Sequence, residues 1–210
     1  MPRKIWDITQ RLSPDLPVWP GDTAFQHART WRMEEGSPVN VSALTLSTHT
    51  GAHADAPLHY SQTAPDIASV DLDPYLGECL VVDAREADPI IEVADLPTLH
   101  SANRVLFRTF DQFPTDKWED DTVAIAPETI EWLAMQGVKL VGIDGPSIDP
   151  QSSKTMDAHK AVLRHDLRVL EGLVLDDVPQ GRYELIALPL PIVGGDASPV
   201  RAILRELDDA

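Results

Sequence analysis

Prolines are spread along the chain and limit the length of any regular element. The sequence has 18 prolines in 210 residues, and each one fixes φ and removes a backbone donor. Proline is therefore found at turns and strand ends and is excluded from central strands and helix interiors. The segments between the prolines predict short elements that are joined by rigid turns.

Short apolar runs rich in Val, Leu and Ile lie between these turns and predict β-strands. They cover residues 79–83, 105–109, 122–126, 139–144 and 184–188. A further strand is predicted over residues 41–48, where Leu44 and Leu46 alternate with smaller side chains. In that strand His49 would follow on the face opposite the two leucines.

One helix is clearly indicated between Pro127 and Gly137. Pro127 suits a first helical position, Ile130, Leu133 and Ala134 form an apolar stripe, and Gly137 suits the position after the end. A second helix is predicted to begin near Asp157, and residues 168–170 indicate a strand that returns after it. The chain is thus expected to form a strand-dominated α+β fold with a single domain over residues 1–210.

Charge and composition exclude several classes of function. The 17 basic and 34 acidic residues give a net charge of 17 − 34 = −17, which disfavours nucleic acid and anionic membranes as partners. Cys79 is the single cysteine, so neither an internal disulfide nor a cysteine-rich metal site is predicted. The apolar stretch at 185–193 is interrupted by prolines, and the first residues carry no apolar signal segment. We therefore expect a cytoplasmic protein.

The segment from His49 to His59 carries the chemistry. It contains His49, His53, Asp55 and His59, which offer the nitrogen and oxygen ligands that zinc and manganese take. All four occupy odd positions, so in an extended chain His53 and Asp55 share one face. Gly51 permits a bend that would return His49 toward His53. The pattern predicts a functional site, with a hydrogen-bonded polar strand end as the alternative.

A second candidate region contains His159 and Glu171. They are twelve residues apart, which on one helix would separate them by about 18 Å. If both bind one metal, the chain must turn between them, near residues 164–166. Glu171 is flanked by apolar residues, where a carboxylate needs a partner. A solvated carboxylate is the alternative for Glu171.

The His49–His59 segment resembles the signature of the cyclase-like metal hydrolases. Residues 17–22, 48–60, 154–159, 170–179 and 196–201 extend the likeness over roughly residues 5–204 and place it closest to the bacterial kynurenine formamidase (arylformamidase) branch. The resemblance implies a swivelling β/β/α fold, a homodimer, and two divalent metal ions per chain, usually zinc, with manganese as the other option. It implies ligands His49, His53 and Asp55 for one metal, ligands Asp55, His159 and Glu171 for the other, His59 as general acid/base, and Trp19 against the substrate's aromatic ring.

This resemblance leads to the expected reaction, hydrolysis of N-formyl-L-kynurenine to L-kynurenine and formate in tryptophan degradation. A metal-activated water would attack the formyl carbon, and His59 would protonate the departing nitrogen. One alternative is hydrolysis of a cyclic amide or imide such as isatin. A second alternative is a non-catalytic metal-binding scaffold. His59 favours catalysis over the scaffold because the implied ligand sets do not require it.

Overall fold

A nine-stranded sheet organises residues 3–99 and 101–208, which a computed structural model of the chain describes. The one-domain prediction over 1–210 includes residues 1, 2, 100, 209 and 210, which lie outside the described residues. The sheet order is β1-β13-β11-β5-β7-β9-β10-β4-β12, and β2-β3 and β6-β8 form two small separate sheets. The elements are β1 (Ile5–Asp7), β2 (Gln26–Trp31), β3 (Val41–Thr45), β4 (His53–Asp55), β5 (Leu76–Asp83), β6 (Ile90–Ile91), β7 (Arg104–Arg108), β8 (Ala124–Ile125), α1 (Pro127–Met135), β9 (Leu140–Ile143), α2 (Asp157–Arg164), β10 (Arg168–Glu171), β11 (Gly181–Ile186), β12 (Ala197–Pro199) and β13 (Ile203–Arg205).

The centre of the large sheet consists of the four parallel strands β5, β7, β9 and β10. Successive residues point to opposite faces, so Leu106 joins one apolar cluster while Val105 and Phe107 join the other. Helices α1 and α2 cover the second face through buried residues such as Leu133 and Val162. Burial on both faces explains why these strands are continuous apolar runs in the sequence.

Antiparallel strands extend the parallel centre on both sides. Strands β11, β13 and β1 follow β5, while β4 and β12 follow β10. Strand β4 therefore has a hydrogen-bonded neighbour on each side, although it is only three residues long. This placement brings the histidine-rich segment next to the end of β10.

Most of the predicted elements are confirmed, including the strand-dominated α+β class. Helix α1 begins at Pro127, and Gly137 follows its end with φ of +87°. Helix α2 begins at Asp157, as predicted, and the return strand after it is β10. The strand predicted over residues 79–83 is the second half of β5, where Cys79 is fully buried.

The strand predicted over residues 41–48 is wrong in length and in environment. Strand β3 ends at Thr45, before His49, and its whole length is exposed. Its only strand partner among the described residues is β2, which is also exposed throughout. Leu44 is 55% exposed because this hairpin projects from the large sheet, so strand alternation does not orient His49.

The helices are short. Helix α1 has nine residues and α2 has eight. Within residues 3–99 and 101–208, no helix has both the length and the apolar character needed to cross a membrane.

Candidate active site

Pairing between β4 and β10 places three of the predicted ligands together. Glu171 at the end of β10 is the direct cross-strand partner of His53, and Asp55 lies two residues further along β4. Directly opposed residues of an antiparallel pair have neighbouring side chains, and residues two apart share a face. His53 Nε2 accordingly lies 3.3 Å from Glu171 Oε2 and 3.5 Å from Asp55 Oδ1.

Gly51 returns His49 to this cluster, as the sequence predicted. Its φ is +68°, and a turn closed by Thr50 N donating to Ser47 O precedes it. The His49 and His53 rings are 4.9 Å apart, and His49 Nδ1 lies 3.2 Å from Asp55 Oδ1. The backbone of Gly51 packs so closely that a Cβ at Gly172 would meet Gly51 O at 2.8 Å. The bend therefore depends on two glycines.

His159 lies on helix α2, which covers one face of the large sheet, and its side chain reaches the cluster from that side. His159 Nε2 lies 3.2 Å from Asp55 Oδ2 and 3.4 Å from Glu171 Oε1. The chain turns between α2 and β10 at Asp166, whose φ is +54°. His159 and Glu171 thus meet across this turn. The structure brings all five residues that were predicted as metal ligands into one cluster, in which four are buried and His49 is partly buried.

Each of the three imidazoles turns one ring nitrogen toward the carboxylates. His53 Nδ1 donates to Gly51 O at 2.8 Å, so its Nε2 is left as an acceptor that faces carboxylate oxygens. Neither His53 Nε2 nor Asp55 Oδ1 has a hydrogen-bond partner among the described residues, and both atoms are buried. Buried acceptors that face one another require a cation or a proton between them. The donor set of nitrogens and carboxylate oxygens therefore fits divalent metal ions.

Two further carboxylates hold the other ring nitrogens, and the sequence did not reveal them. His159 Nδ1 donates to Asp149 Oδ2 at 2.6 Å, and His49 Nε2 donates to Asp196 Oδ2 at 3.2 Å. Asp149 also accepts the backbone N–H groups of Ala158 and His159. Such partners fix the tautomer and orientation of a metal-binding histidine. Asp196 lies in residues 196–201, one of the segments that carry the family resemblance. No sequence pattern connected Asp149 with His159.

The cluster binds protons tightly when only protein groups compensate its charge. Burial lowers the pKa of His49, but Asp55 and Asp196 outweigh burial and raise the pKa to about 9. For His159, burial is likewise outweighed by Asp149, Asp55 and Glu171, which hold its pKa well above the usual value. Burial raises the pKa of Asp55, yet the neighbouring imidazoles lower that pKa well below its ordinary range. Metal binding must therefore displace protons.

His59 lies at the exposed side of the cluster. The short 3₁₀ turn Pro57–His59 carries it, and its ring is 4.3 Å from that of His49 and 5.9 Å from that of His159. His59 Nδ1 is 3.6 Å from Asp196 Oδ2. Potential ligand atoms of His49, Asp55 and His59 lie within 4.8 Å of one another, as do those of His53, Asp55 and Glu171. The geometry therefore allows His59 to bind a proton or a metal.

A cavity of about 370 Å³ opens above the cluster and has aromatic walls. Trp19 lines it, is 37% exposed, and meets Trp118 edge to face with ring centroids 5.5 Å apart. Phe110 and Phe113 line the same cavity and contact each other. An aromatic ring of a ligand fits such walls. Trp19 was predicted here, whereas Trp118 and the two phenylalanines were not.

Asp144 shapes one of these walls. Its carboxylate accepts the backbone N–H groups of Thr109 and Phe110 and the Thr109 hydroxyl. Burial raises the pKa of Asp144 to about 6, against the effect of these hydrogen bonds. The contacts fix the backbone from which the Phe110 side chain projects.

Comparisons with known proteins agree on one family. The family model for cyclases, described as "Putative cyclase", matches residues 6–150. A kynurenine formamidase of Erythrobacter litoralis (strain HTCC2594) is 67% identical over 208 residues, which is 99% of this chain and 96% of that protein. A kynurenine formamidase of Maricaulis maris (strain MCS10) is 58% identical and covers 97% of this chain and 99% of its own length.

Solved structures share the fold. One described as a potential metal-dependent hydrolase with cyclase activity is 29% identical, with a TM-score of 0.85 and coverage of 99% of this chain and 100% of the other. A predicted metal-dependent hydrolase from Bacillus stearothermophilus is 28% identical, with a TM-score of 0.83 and coverage of 98% and 99%. Isatin hydrolase A from Labrenzia aggregata is 24% identical, with a TM-score of 0.82 and coverage of 97% and 94%. At that identity the last likeness concerns the fold alone.

Asp149→Asn should weaken divalent metal binding by about 10- to 100-fold, because the amide no longer holds His159 as a carboxylate does. The measurement is a competition titration against a chelator of known affinity. Asp157→Asn is the matched control, since Asp157 lies on the first turn of the same helix and bonds to Thr155. Wild-type metal affinity in a correctly folded Asp149→Asn variant would contradict the supporting role of Asp149.

Proposed function

Because this chain belongs to the cyclase family of metal-dependent hydrolases and is closely related to kynurenine formamidases, we propose that it hydrolyses N-formyl-L-kynurenine to L-kynurenine and formate. One observation carries the proposal. A buried cluster of imidazoles and carboxylates, with lone pairs facing one another, forms the floor of an aromatic-walled cavity. This arrangement suits an aryl ring that carries a hydrolysable amide.

The family resemblance implies the ligand assignment, and the side of Asp55 that each histidine faces supports it. Asp55 Oδ1 faces His49 and His53, whereas Asp55 Oδ2 faces His159. We assign His49, His53 and Asp55 to one divalent ion and Asp55, His159 and Glu171 to a second, with zinc as the metal and manganese as the other option. When bound, such ions supply the positive charge that acidifies a water molecule and stabilises negative charge on the formyl oxygen.

The protein groups around the floor orient the substrate and move its proton. Trp19 and the Phe110–Phe113 pair hold the aryl ring and exclude water from it. The departing arylamine needs a proton on its nitrogen, because an anilide anion is a poor leaving group. His59 is the partly exposed imidazole beside the cluster, so it can take a proton from the attacking water and return it to that nitrogen.

The direct test is hydrolysis of N-formyl-L-kynurenine by purified protein, with bound metal counted in the same sample. We expect two metal ions per chain and turnover that a chelator abolishes and added zinc restores. Isatin is the comparison substrate, and we expect it to remain intact. Hydrolysis of isatin alone would replace the formamidase proposal, and two bound ions without turnover of either substrate would favour the scaffold.

His59→Ala should lower kcat by about 10²- to 10⁴-fold, the usual contribution of a general acid/base, while both metals stay bound. His165→Ala is the control, because His165 is an exposed histidine just after helix α2. Steady-state kinetics and metal analysis on each variant make the measurement. Loss of metal from His59→Ala would instead assign His59 as a ligand, and unchanged kcat would remove its catalytic role.

We also propose a homodimer, which the exposed β2–β3 hairpin supports. Trp31 on β2 and its cross-strand partner Val41 on β3 are both exposed, and a second copy of the chain would bury them. Light scattering should give twice the chain mass, and Trp31→Glu should give the monomer mass. Met135→Glu, at an exposed apolar residue of α1, should stay dimeric. A monomeric wild type would contradict the dimer.

Cytoplasmic location stays a prediction, which cell fractionation can check.

A further inference from the structure

The charged residues on the cavity wall have no role in the chemistry described above. Asp22, Lys117 and Glu119 line the cavity outside the metal cluster. Lys117 is the single Lys or Arg side chain among the described residues of this lining. A lone cation is unusual in the wall of a cavity whose floor is acidic, within a chain of net charge −17.

Lys117 and Glu119 form an ion pair beside the aromatic wall. Lys117 Nζ lies 2.9 Å from Glu119 Oε2, and the two side chains are 68% and 31% exposed. Trp118, between them in sequence, is held by its indole N–H donating to Gln151 Oε1 at 2.8 Å and by its contact with Trp19. The pair is therefore attached to a fixed point of the wall that faces the substrate ring.

The substrate of the proposed function carries a matching pair of charges. Its side chain ends in an α-ammonium and an α-carboxylate, which are separated by one carbon. We infer that Lys117 and Glu119 form the subsite for this amino-acid end, with Lys117 binding the carboxylate and Glu119 the ammonium. This inference rests on the proposed function, and Asp22 is a further carboxylate in the lining of the same cavity.

Breaking the Lys117–Glu119 ion pair to bind the substrate's amino-acid end costs little free energy. An exposed ion pair contributes little to stability, because water solvates both charges. When a zwitterion binds, the single Lys117–Glu119 pair is replaced by two charge pairs, one from each side chain to the substrate. The subsite would not act on the formyl group. Its contribution should therefore appear in substrate binding and leave the chemical step unchanged.

The test compares two substrates on two variants. The first substrate is N-formyl-L-kynurenine, and the second is the formanilide in which an ortho-acetyl group replaces the amino-acid side chain. Lys117→Met should lower kcat/KM for the first by about tenfold, mainly through KM, because a charged hydrogen bond to the substrate carboxylate is lost. It should leave kcat/KM for the second within twofold of wild type. Lys160→Met, at a lysine paired with Asp157 on α2, should change neither value.

Charge reversal gives an independent readout. Lys117→Glu should prefer the amine analogue that lacks only the carboxylate, whereas the wild type should prefer the zwitterion. Equal losses on both formyl substrates, or no loss on either, would overturn the subsite while turnover by the wild type upheld the formamidase.

A binding measurement separates the two proposals if turnover is absent. Trp19 and Trp118, two of the five tryptophans, line the cavity, so a change in the protein's tryptophan fluorescence reports its occupancy, and the probe is L-kynurenine itself. Tenfold weaker binding to Lys117→Met than to wild type would support the subsite even if the wild type failed to hydrolyse the formyl substrate. Equal affinities would overturn it.

Discussion

The active site depends on the antiparallel pairing of β4 with β10. That pairing sets Glu171 opposite His53 and leaves Asp55 on the same face, so two buried carboxylates share one small volume. Mutual repulsion and burial both oppose this arrangement. The three imidazoles around the carboxylates, and the cations that these imidazoles can help to bind, compensate the negative charge. Three features of the surrounding structure keep these groups together. Glycines allow the backbone segments to approach closely, a helix covers the cluster, and further carboxylates orient its histidines.

The floor and the walls of the cavity are built by different kinds of structure. The floor comes from β4, β10 and α2, whose backbone positions are fixed by hydrogen bonds and by packing on both faces of the sheet. The walls come from loops, in which Asp144 and the Trp118–Gln151 contact replace regular hydrogen bonding. Metal ligands must be held in positions that vary little, and hydrogen-bonded strands hold them in this way. Substrate choice can change through loop residues without moving a ligand.

Local patterns predicted much of the fold and singled out the five candidate ligands, whose roles the family resemblance implied, and the reasons are physical. The parity of His53 and Asp55 and the freedom of Gly51 are encoded within a few residues, and the apolar runs of the four parallel strands follow from burial on both faces. Strand β3 was misjudged because alternation in sequence does not show whether a strand joins the main sheet. Asp149 meets His159, and Trp118 meets Trp19, only through the folded chain. Short-range patterns cannot reveal those pairs.

The position of β4 inside the sheet has a consequence for how this sequence can change in length. Because β4 is paired on both sides, inserting or deleting one residue between His53 and Asp55 would turn one of the two to the opposite face, among the apolar side chains around Ala54. The β2–β3 hairpin has no such parity constraint, since neither strand pairs with the large sheet within the described part of the chain. A change of length in the hairpin would therefore disturb only the proposed dimer contact, whereas a change in the spacing from Gly51 to Asp55 would disrupt the candidate metal site.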